Sequence, residues 1–298
     1  MGDLILSLEG TDAGRDLAMA LALFAALTHA VFGALQKGRH DPWVSRGGMD
    51  ICSGLFALPV MAMVPFPEPQ MWPIFAGAWV IHSAYKFLQA STYQRGAFTV
   101  VYPVVRGAAP LFAVIGAWIV FGERFAPLQW LGVAVLLAGI FGLAVYNLRY
   151  VTVARDTLVA ALGFAVATGA SVAFYTTYDA YGIRATADPF TFLAWFFFID
   201  GWLMPLVLRK RLAALPRADL VSVLKRGAFG AIIAYLSFGS VMLATRLDKV
   251  GEAAVLRETS TVFAALIGWL MLGERVGPRR LGLMTLIALG AVIVEFGG

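Results

Sequence analysis

Phe121-Gly122-Glu123-Arg124, followed by Pro127 and Gly139, returns 151 residues later as Leu272-Gly273-Glu274-Arg275, followed by Pro278 and Gly290. The register holds upstream without a gap. Phe87 pairs with Phe238, Arg95 with Arg246, Arg106 with Arg257, Phe112-Ala113 with Phe263-Ala264, and Trp118 with Trp269. Further back the echo continues at a spacing of 140, where Arg15-Asp16, Ala20, Phe24-Ala25, Thr28 and Ala30 become Arg155-Asp156, Ala160, Phe164-Ala165, Thr168 and Ala170. The chain is a duplication, and its halves are equivalents of one another.

The composition says what surrounds those halves. Sixty per cent hydrophobic residues, 14% charged residues and a mean hydropathy of +0.79 leave too little polar surface to cover a soluble domain of 298 residues. Lipid is the solvent. The apolar stretches are each about 20 residues, the length that crosses a hydrocarbon core of ~30 Å. None has the form of a cleavable signal peptide. A single cysteine, Cys52, excludes an internal disulfide and a cysteine-based metal cluster.

The segmentation gives ten spans: 17–36, 45–64, 72–93, 97–121, 127–147, 157–180, 189–208, 225–246, 250–272 and 279–296. Residues 1–16 read as an N-terminal tail, 17–147 as a first five-helix repeat and 157–296 as a second. Five is odd, so the second repeat crosses the bilayer in the opposite sense and the topology is inverted. The expected fold is therefore all-α and polytopic. Prolines at 65, 67 and 69 close span two, while Asp41-Pro42 and Asp188-Pro189 open spans two and seven.

Basic residues concentrate in alternate loops. Lys37, Arg39, Arg46, Arg95, Arg149, Arg155, the run Arg209-Lys210-Arg211 with Arg217, and Arg275, Arg279 and Arg280 all fall on one face; Arg15, Arg124, Arg184, Arg246 and Lys249 fall on the other. By the positive-inside rule both termini face outward. The net charge of +5 therefore reports topology and not nucleic-acid binding.

A Gly-Glu-Arg turn followed by proline and a glycine-containing closing helix, once per half of a ten-span chain, resembles the drug/metabolite transporter superfamily in its EamA-like branch. The resemblance covers essentially the whole sequence. Within the branch, Trp79, His82 and Tyr85 in span three look like the bacterial amino-acid exporters, particularly those that handle aromatic amino acids. It implies a bacterial inner-membrane transporter working by alternating access from a central cavity. It also implies cytoplasmic termini, opposite to the charge count. Glycine in each turn ends a helix in the left-handed conformation and proline starts the next, with Glu123 and Glu274 favoured by the following helix dipole. Gly132, Gly139 and Gly142, like Gly163 with Ala167, read as close-packing positions.

Candidate site residues follow from the cost of polar groups in lipid, about 2.5–3.5 kcal/mol for a charge at the bilayer centre. Trp79, His82, Ser83 and Lys86 share one face of span three, with Tyr85 at its margin. Thr168, Ser171, Tyr175 and Tyr178 form a stripe in span six. Spans four and nine read as interrupted helices: Tyr102-Pro103, Arg106-Gly107 and Pro110 in the first, and Glu252, Arg257 and Glu258 in the second. Arg257 is expected to pair with Glu258, leaving Arg106 as the ligand of a substrate carboxylate. Trp195, Asp200, Trp202 and Tyr235 are lesser candidates. Each of these residues also has a packing or snorkelling explanation, which for the Gly-Glu-Arg turns is the favoured one.

The expected function is export of small metabolites, with amino acids, aromatic or hydrophobic ones included, as the favoured substrates. Alternatives are an organic cation, a nucleotide precursor or a sugar phosphate, and, from another class, a membrane-embedded receptor or enzyme. No phosphate-binding loop, zinc-protease motif or nucleophile elbow occurs in the sequence. No cofactor, metal or nucleic-acid partner is expected, the partners being a small solute and the bilayer. A monomer is the working expectation. Spans one, three, four, six, eight and nine are expected to line the cavity, with five and ten as scaffold, and Glu252, Glu258 and His82 are the groups that could carry a proton.

Overall fold

Asp41 and Asp188 open equivalent helices of the two repeats in the same way. In the computed structural model, which describes residues 2–36, 41–95, 98–150, 158–272 and 277–298, the Asp41 carboxylate accepts from Trp43 N at 2.8 Å and Val44 N at 3.2 Å. The Asp188 carboxylate accepts from Phe190 N and Thr191 N at 3.3 and 3.2 Å. Each precedes a proline at the first helical position, where no N–H is missed. Caps of this kind contribute about 1 kcal/mol each.

The helices are α1 (Gly2–Leu8), α2 (Asp12–Gln36), α3 (Pro42–Met61), α4 (Met71–Arg95), α5 (Phe98–Phe121), α6 (Pro127–Tyr150), α7 (Leu158–Ala185), α8 (Pro189–Asp200), α9 (Leu203–Ala213), α10 (Arg217–Leu247), α11 (Val250–Arg257), α12 (Ser260–Leu272) and α13 (Pro278–Phe296). With α8–α9 and α11–α12 each taken as one broken crossing, α2 to α13 make five crossings per repeat. Among the described residues six stretches are apolar and long enough to span a membrane on hydropathy alone, including Asp12–Phe32, Val159–Ala185 and Arg217–Leu247. Helices α3 and α4 are not among them, because they carry Arg46, Asp50, His82, Lys86 and Gln89 inward.

The interhelix contacts repeat under exchange of the halves. α4 packs on α7 as α10 packs on α2, α5 on α7 as α12 on α2, and α3 on α10 as α8 on α4. α6 and α13 pack on each other. Glycine makes that last contact possible: a Cβ on Gly290 would lie 2.5 Å from Leu136 N, and one on Gly132 2.8 Å from Gly290 O. Gly139 is equally close to α13, as expected, whereas Gly163 has open space where a Cβ would sit, so it is not a close-packing position.

Other expectations are corrected. Residues 2–8 of the tail form a helix, α1, and α10 begins at Arg217, well before residue 225. Span four is not interrupted; α5 runs unbroken through Pro103 and Pro110, since a proline removes only one backbone hydrogen bond and neighbouring helices support the rest. The break falls in span nine, which has no proline. There Glu258 N bonds Val255 O at 3.0 Å, Thr259 N bonds Leu256 O at 3.1 Å and Thr261 N bonds Glu258 O at 3.1 Å, a tight turn between α11 and α12. Span seven breaks too, at Gly201-Trp202, where Gly201 presses on α3 so closely that a Cβ would meet Gly54 N at 2.7 Å.

Glu9 pairs with Arg246, Arg246 donates to Thr186 O at 2.8 Å, and Gln129 donates to Val294 O at 3.0 Å. Both chain ends therefore lie on one face with the turns at 122–126, 186–188 and 248–249. We call it the terminal face.

Candidate functional site

Lys86 is fully buried, and charge balance explains how. Its ammonium lies 2.7 Å from Asp50 Oδ2 and 2.9 Å from Asp200 Oδ2, so α4 is tied to α3 and to the broken end of α8. Arg46, one turn before Asp50 on α3, reaches its other oxygen at 2.9 Å and Gln89 Oε1 at 3.3 Å. Gln89 in turn donates to Tyr85 OH at 2.6 Å. Two cations and two carboxylates thus form one closed network. Such a network adds little net stability, but removing one member strands a charge at a cost of about 3–5 kcal/mol.

One turn back along α4, His82 Nε2 meets Asp179 Oδ2 of α7 at 2.8 Å, with both side chains buried. Rings close around this pair. His82 packs on Tyr175 with centroids 4.5 Å apart and on Phe196 at 4.8 Å; Tyr85 meets Tyr175 at 4.9 Å, and Phe238 completes the wall at 6.1 Å from Tyr175. A cleft among Phe32, Asp50, Ser53, His82, Tyr85 and Phe238 has a volume of about 30 Å³. That admits water but not a metabolite, whose pockets run to about 300–1,000 Å³. In this conformation that cleft is too small for a metabolite.

The third cluster lies at the break between α11 and α12. Arg106 Nε is 2.9 Å from Glu258 Oε2, and its Nη2 donates to Ser260 Oγ at 3.0 Å and Arg257 O at 3.4 Å. Arg257 stands farther from Glu258, at 3.9 Å, and donates to Thr176 Oγ1 at 3.3 Å. Arg106 is therefore the closer partner of Glu258, which reverses the expected pairing. Among the described residues, Arg257 Nε and Nη1, Tyr175 OH, Ser83 Oγ, Asp179 Oδ1, Asp200 Oδ1, both Glu258 carboxylate oxygens and, away from the centre, the indole nitrogens of Trp195 and Trp202 are buried without a hydrogen bond of good geometry. Unsatisfied buried polar atoms are few in folded proteins, and here most of them surround the centre.

The expected residues separate into three groups. His82, Ser83, Tyr85, Lys86, Arg106, Tyr175, Arg257 and Glu258 surround the centre, and Asp200 joins them. Lys86 does not snorkel. Trp79 and Ser171 are half-buried on the same helices, and Thr168 is engaged with Thr92 at 2.8 Å. Tyr235 donates to Ser53 O at 2.8 Å and stacks on Phe197, Trp202 packs on Gly54, Trp195 packs edge-on to Trp72, and Tyr178 faces an outer groove between α5 and α7. Glu252 sits at the terminal face, bonded to Gln129 at 2.6 Å and Lys249 at 2.7 Å. The side chain of Tyr102 and the second Gly-Glu-Arg turn lie outside the described residues.

Asp50, Asp179, His29 and Ser260 are not among the residues the sequence marks, and Arg46 is marked there only as a basic residue that sets topology, yet all face the centre. His29 contacts Ser237 at 3.3 Å and packs against Phe32 and Phe238. The signal that would have found the acids is the one that found Lys86, an ionisable residue inside an apolar span. Spans two and seven therefore also contribute to the centre, beyond the six expected. Among the described residues no group of three or more His, Cys, Asp or Glu side chains is arranged to hold a metal ion.

Comparison with known proteins agrees with this architecture. A crystal structure of another protein superposes with a TM-score of 0.74 at 18% sequence identity, covering 94% of this chain and 99% of that one, a likeness of fold alone. None of the curated proteins matches the sequence. The EamA-like transporter family matches twice, over residues 16–145 and 159–296, once per repeat. A multi-pass helical protein with two such matches, inverted halves and a buried polar centre between them belongs to the EamA-like transporter family of the drug/metabolite transporter superfamily, and is a membrane transporter of small solutes.

Proposed function

We propose that the protein exports amino acids, with aromatic and hydrophobic ones among them, by alternating access to the centre between the repeats. One observation carries the reading. Arg46, Lys86, Arg106 and Arg257 stand against Asp50, Asp200 and Glu258, and Asp179 stands against His82; with the imidazole neutral, four cations face four carboxylates. A centre with no net charge favours a solute with none. An organic cation or a sugar phosphate would leave an uncompensated charge in a low-dielectric region, whereas a zwitterion would not.

The unsatisfied atoms support the same reading. Arg257, whose Nε and Nη1 make no hydrogen bond, suits a carboxylate; Asp179 Oδ1 suits an ammonium; and the Tyr175, Tyr85, Phe196 and Phe238 rings suit an apolar or aromatic body. The match of both repeats to a transporter family favours transport over catalysis. Counterflow in proteoliposomes loaded with a panel of amino acids, an organic cation and a sugar phosphate tests it. Accumulation of labelled phenylalanine or leucine is the expected result, and accumulation of only the cation or the phosphate would overturn it.

A further inference from the structure

Glu123, in the turn of the first repeat, does not serve the helix that follows it. Gly122 takes a positive φ of 69°, ends α5 and turns the chain back. The Glu123 carboxylate is thereby aimed at the second repeat, where its two oxygens accept from Val250 N at 2.8 Å and Gly251 N at 3.0 Å. These are orphan N–H groups of the first turn of α11. The cap residue of α11, Lys249, makes no side-chain hydrogen bond to these N–H groups; its ammonium donates to Glu252 instead. The half-helix is capped from across the repeat boundary.

The surroundings hold that contact in place. Arg184 of α7 lies 3.6 Å from Glu123, donates to Thr245 O and Asp248 O at 2.8 Å each, and covers the Phe121 ring at 4.5 Å. Phe125 packs so tightly on α11 that a Cβ on Gly251 would approach it to 2.9 Å. Eight residues further on, roughly 12 Å along a helix axis, α11 ends at Arg257 and Glu258. A short rigid helix thus has one end at the terminal face and the other at the central charges.

We propose that Glu123 is a positioning residue for transport: its cap on α11 latches the terminal face shut and sets the place of Arg257 and Glu258, and opening to that face requires the cap to release. Any motion that separates the 122–126 turn from the α10–α11 junction breaks both backbone bonds at once. The same motion carries Arg257 with it. Gate and binding centre are coupled through one element, which is what an alternating-access cycle needs.

This inference rests on the alternating-access reading but on no particular solute, and its test uses none. Ser83→Cys in a Cys52→Ser background places a thiol at the centre, to be labelled by a small membrane-impermeant thiosulfonate in right-side-out and in everted vesicles. Glu123→Gln is expected to raise the labelling rate from the terminal face by about fivefold or more, the factor that corresponds to a lost cap, with no rise from the opposite face. Arg184→Gln, which keeps the cap but removes its support, is expected to shift the rate in the same direction by less, and serves if Glu123→Gln does not fold. Glu123→Asp, which restores the charge, is expected to recover part of the parent rate. An equal rise from both faces would mean general loosening and would overturn the proposal. So would unchanged terminal-face labelling in both folded variants. A failure of amino-acid counterflow alone would leave this result intact.

Discussion

Arg106 of the first repeat and Glu258 of the second form an ion pair across the molecular centre, 2.9 Å between Nε and Oε2, with both side chains buried. Arg106 and Arg257 are the same position in the two repeats, yet only one of them is close-paired. The duplicated residue has been put to two uses.

The first prediction follows from that difference. Arg106→Gln removes the near partner of a buried carboxylate and is expected to cost about 3–5 kcal/mol of stability. Arg257→Gln removes the guanidinium with the spare donors and is expected to weaken apparent substrate affinity about tenfold or more, the value of a charge-assisted hydrogen bond of roughly 1.5–3 kcal/mol, with a smaller loss of stability. Thermal melts and binding on both variants check this. A larger affinity loss for Arg106→Gln would reverse the assignment.

The second concerns the Lys86 hub. Lys86→Met leaves Asp50 and Asp200 facing each other in the core, and should destabilise the protein by a few kcal/mol. Adding Asp200→Asn should recover part of that loss, because the second carboxylate no longer needs a partner. A double-mutant cycle measures the coupling. Simple additivity of the two substitutions would show that the pair is not energetically linked.

The third separates binding from packing in the ring-lined wall. His82→Ala and Tyr85→Ala should each cut transport per folded molecule strongly while expression stays near normal. Asp179→Asn is expected to do the same, since it lies against His82 and offers the unsatisfied oxygen. If melting temperature falls by several degrees while transport per folded molecule holds, these side chains belong to the core instead.

The fourth is orientation. The loop after Arg209-Lys210-Arg211 carries the densest basic charge and is expected to be cytoplasmic, with the terminal face outside. Single cysteines at positions 213 and 70, as Ala213→Cys and Gln70→Cys in a Cys52→Ser background, report the two faces. In intact cells an impermeant maleimide should label position 70 and spare position 213; the opposite pattern gives cytoplasmic termini.

The fold was legible because its two strongest determinants are one-dimensional. The 151-residue register and the apolar stretches are read directly along the chain, and they define the crossings. Helix breaks were less legible, because a break depends on what surrounds it. Pro103 and Pro110 lie in a helix that neighbours support, while α11 ends at Arg257 without a proline, in a tight turn whose Glu258 side chain pairs with Arg106. Pairing was misread for a geometric reason. Arg257 and Glu258 are adjacent in sequence, but successive residues on a helix point about 100° apart and do not face each other. Glu258 therefore reaches Arg106 instead. Asp50 was hidden behind Arg46, which counts among the basic residues of its loop, and Asp179 stands near a span end, where an acid reads as interfacial. The destination of Glu123 was illegible, since its partners are backbone N–H groups in the other repeat.

The central claim is that a zwitterion is carried by a charge-balanced centre between the repeats. It is tested most directly by comparing initial counterflow rates for an amino acid, its carboxamide and its deaminated acid in the same proteoliposomes. The amino acid is expected to be moved while the carboxamide, lacking the anion for Arg257, and the acid, lacking the ammonium for Asp179, are moved at a small fraction of its rate. Equal rates for all three, or transport of the carboxamide alone, would contradict it.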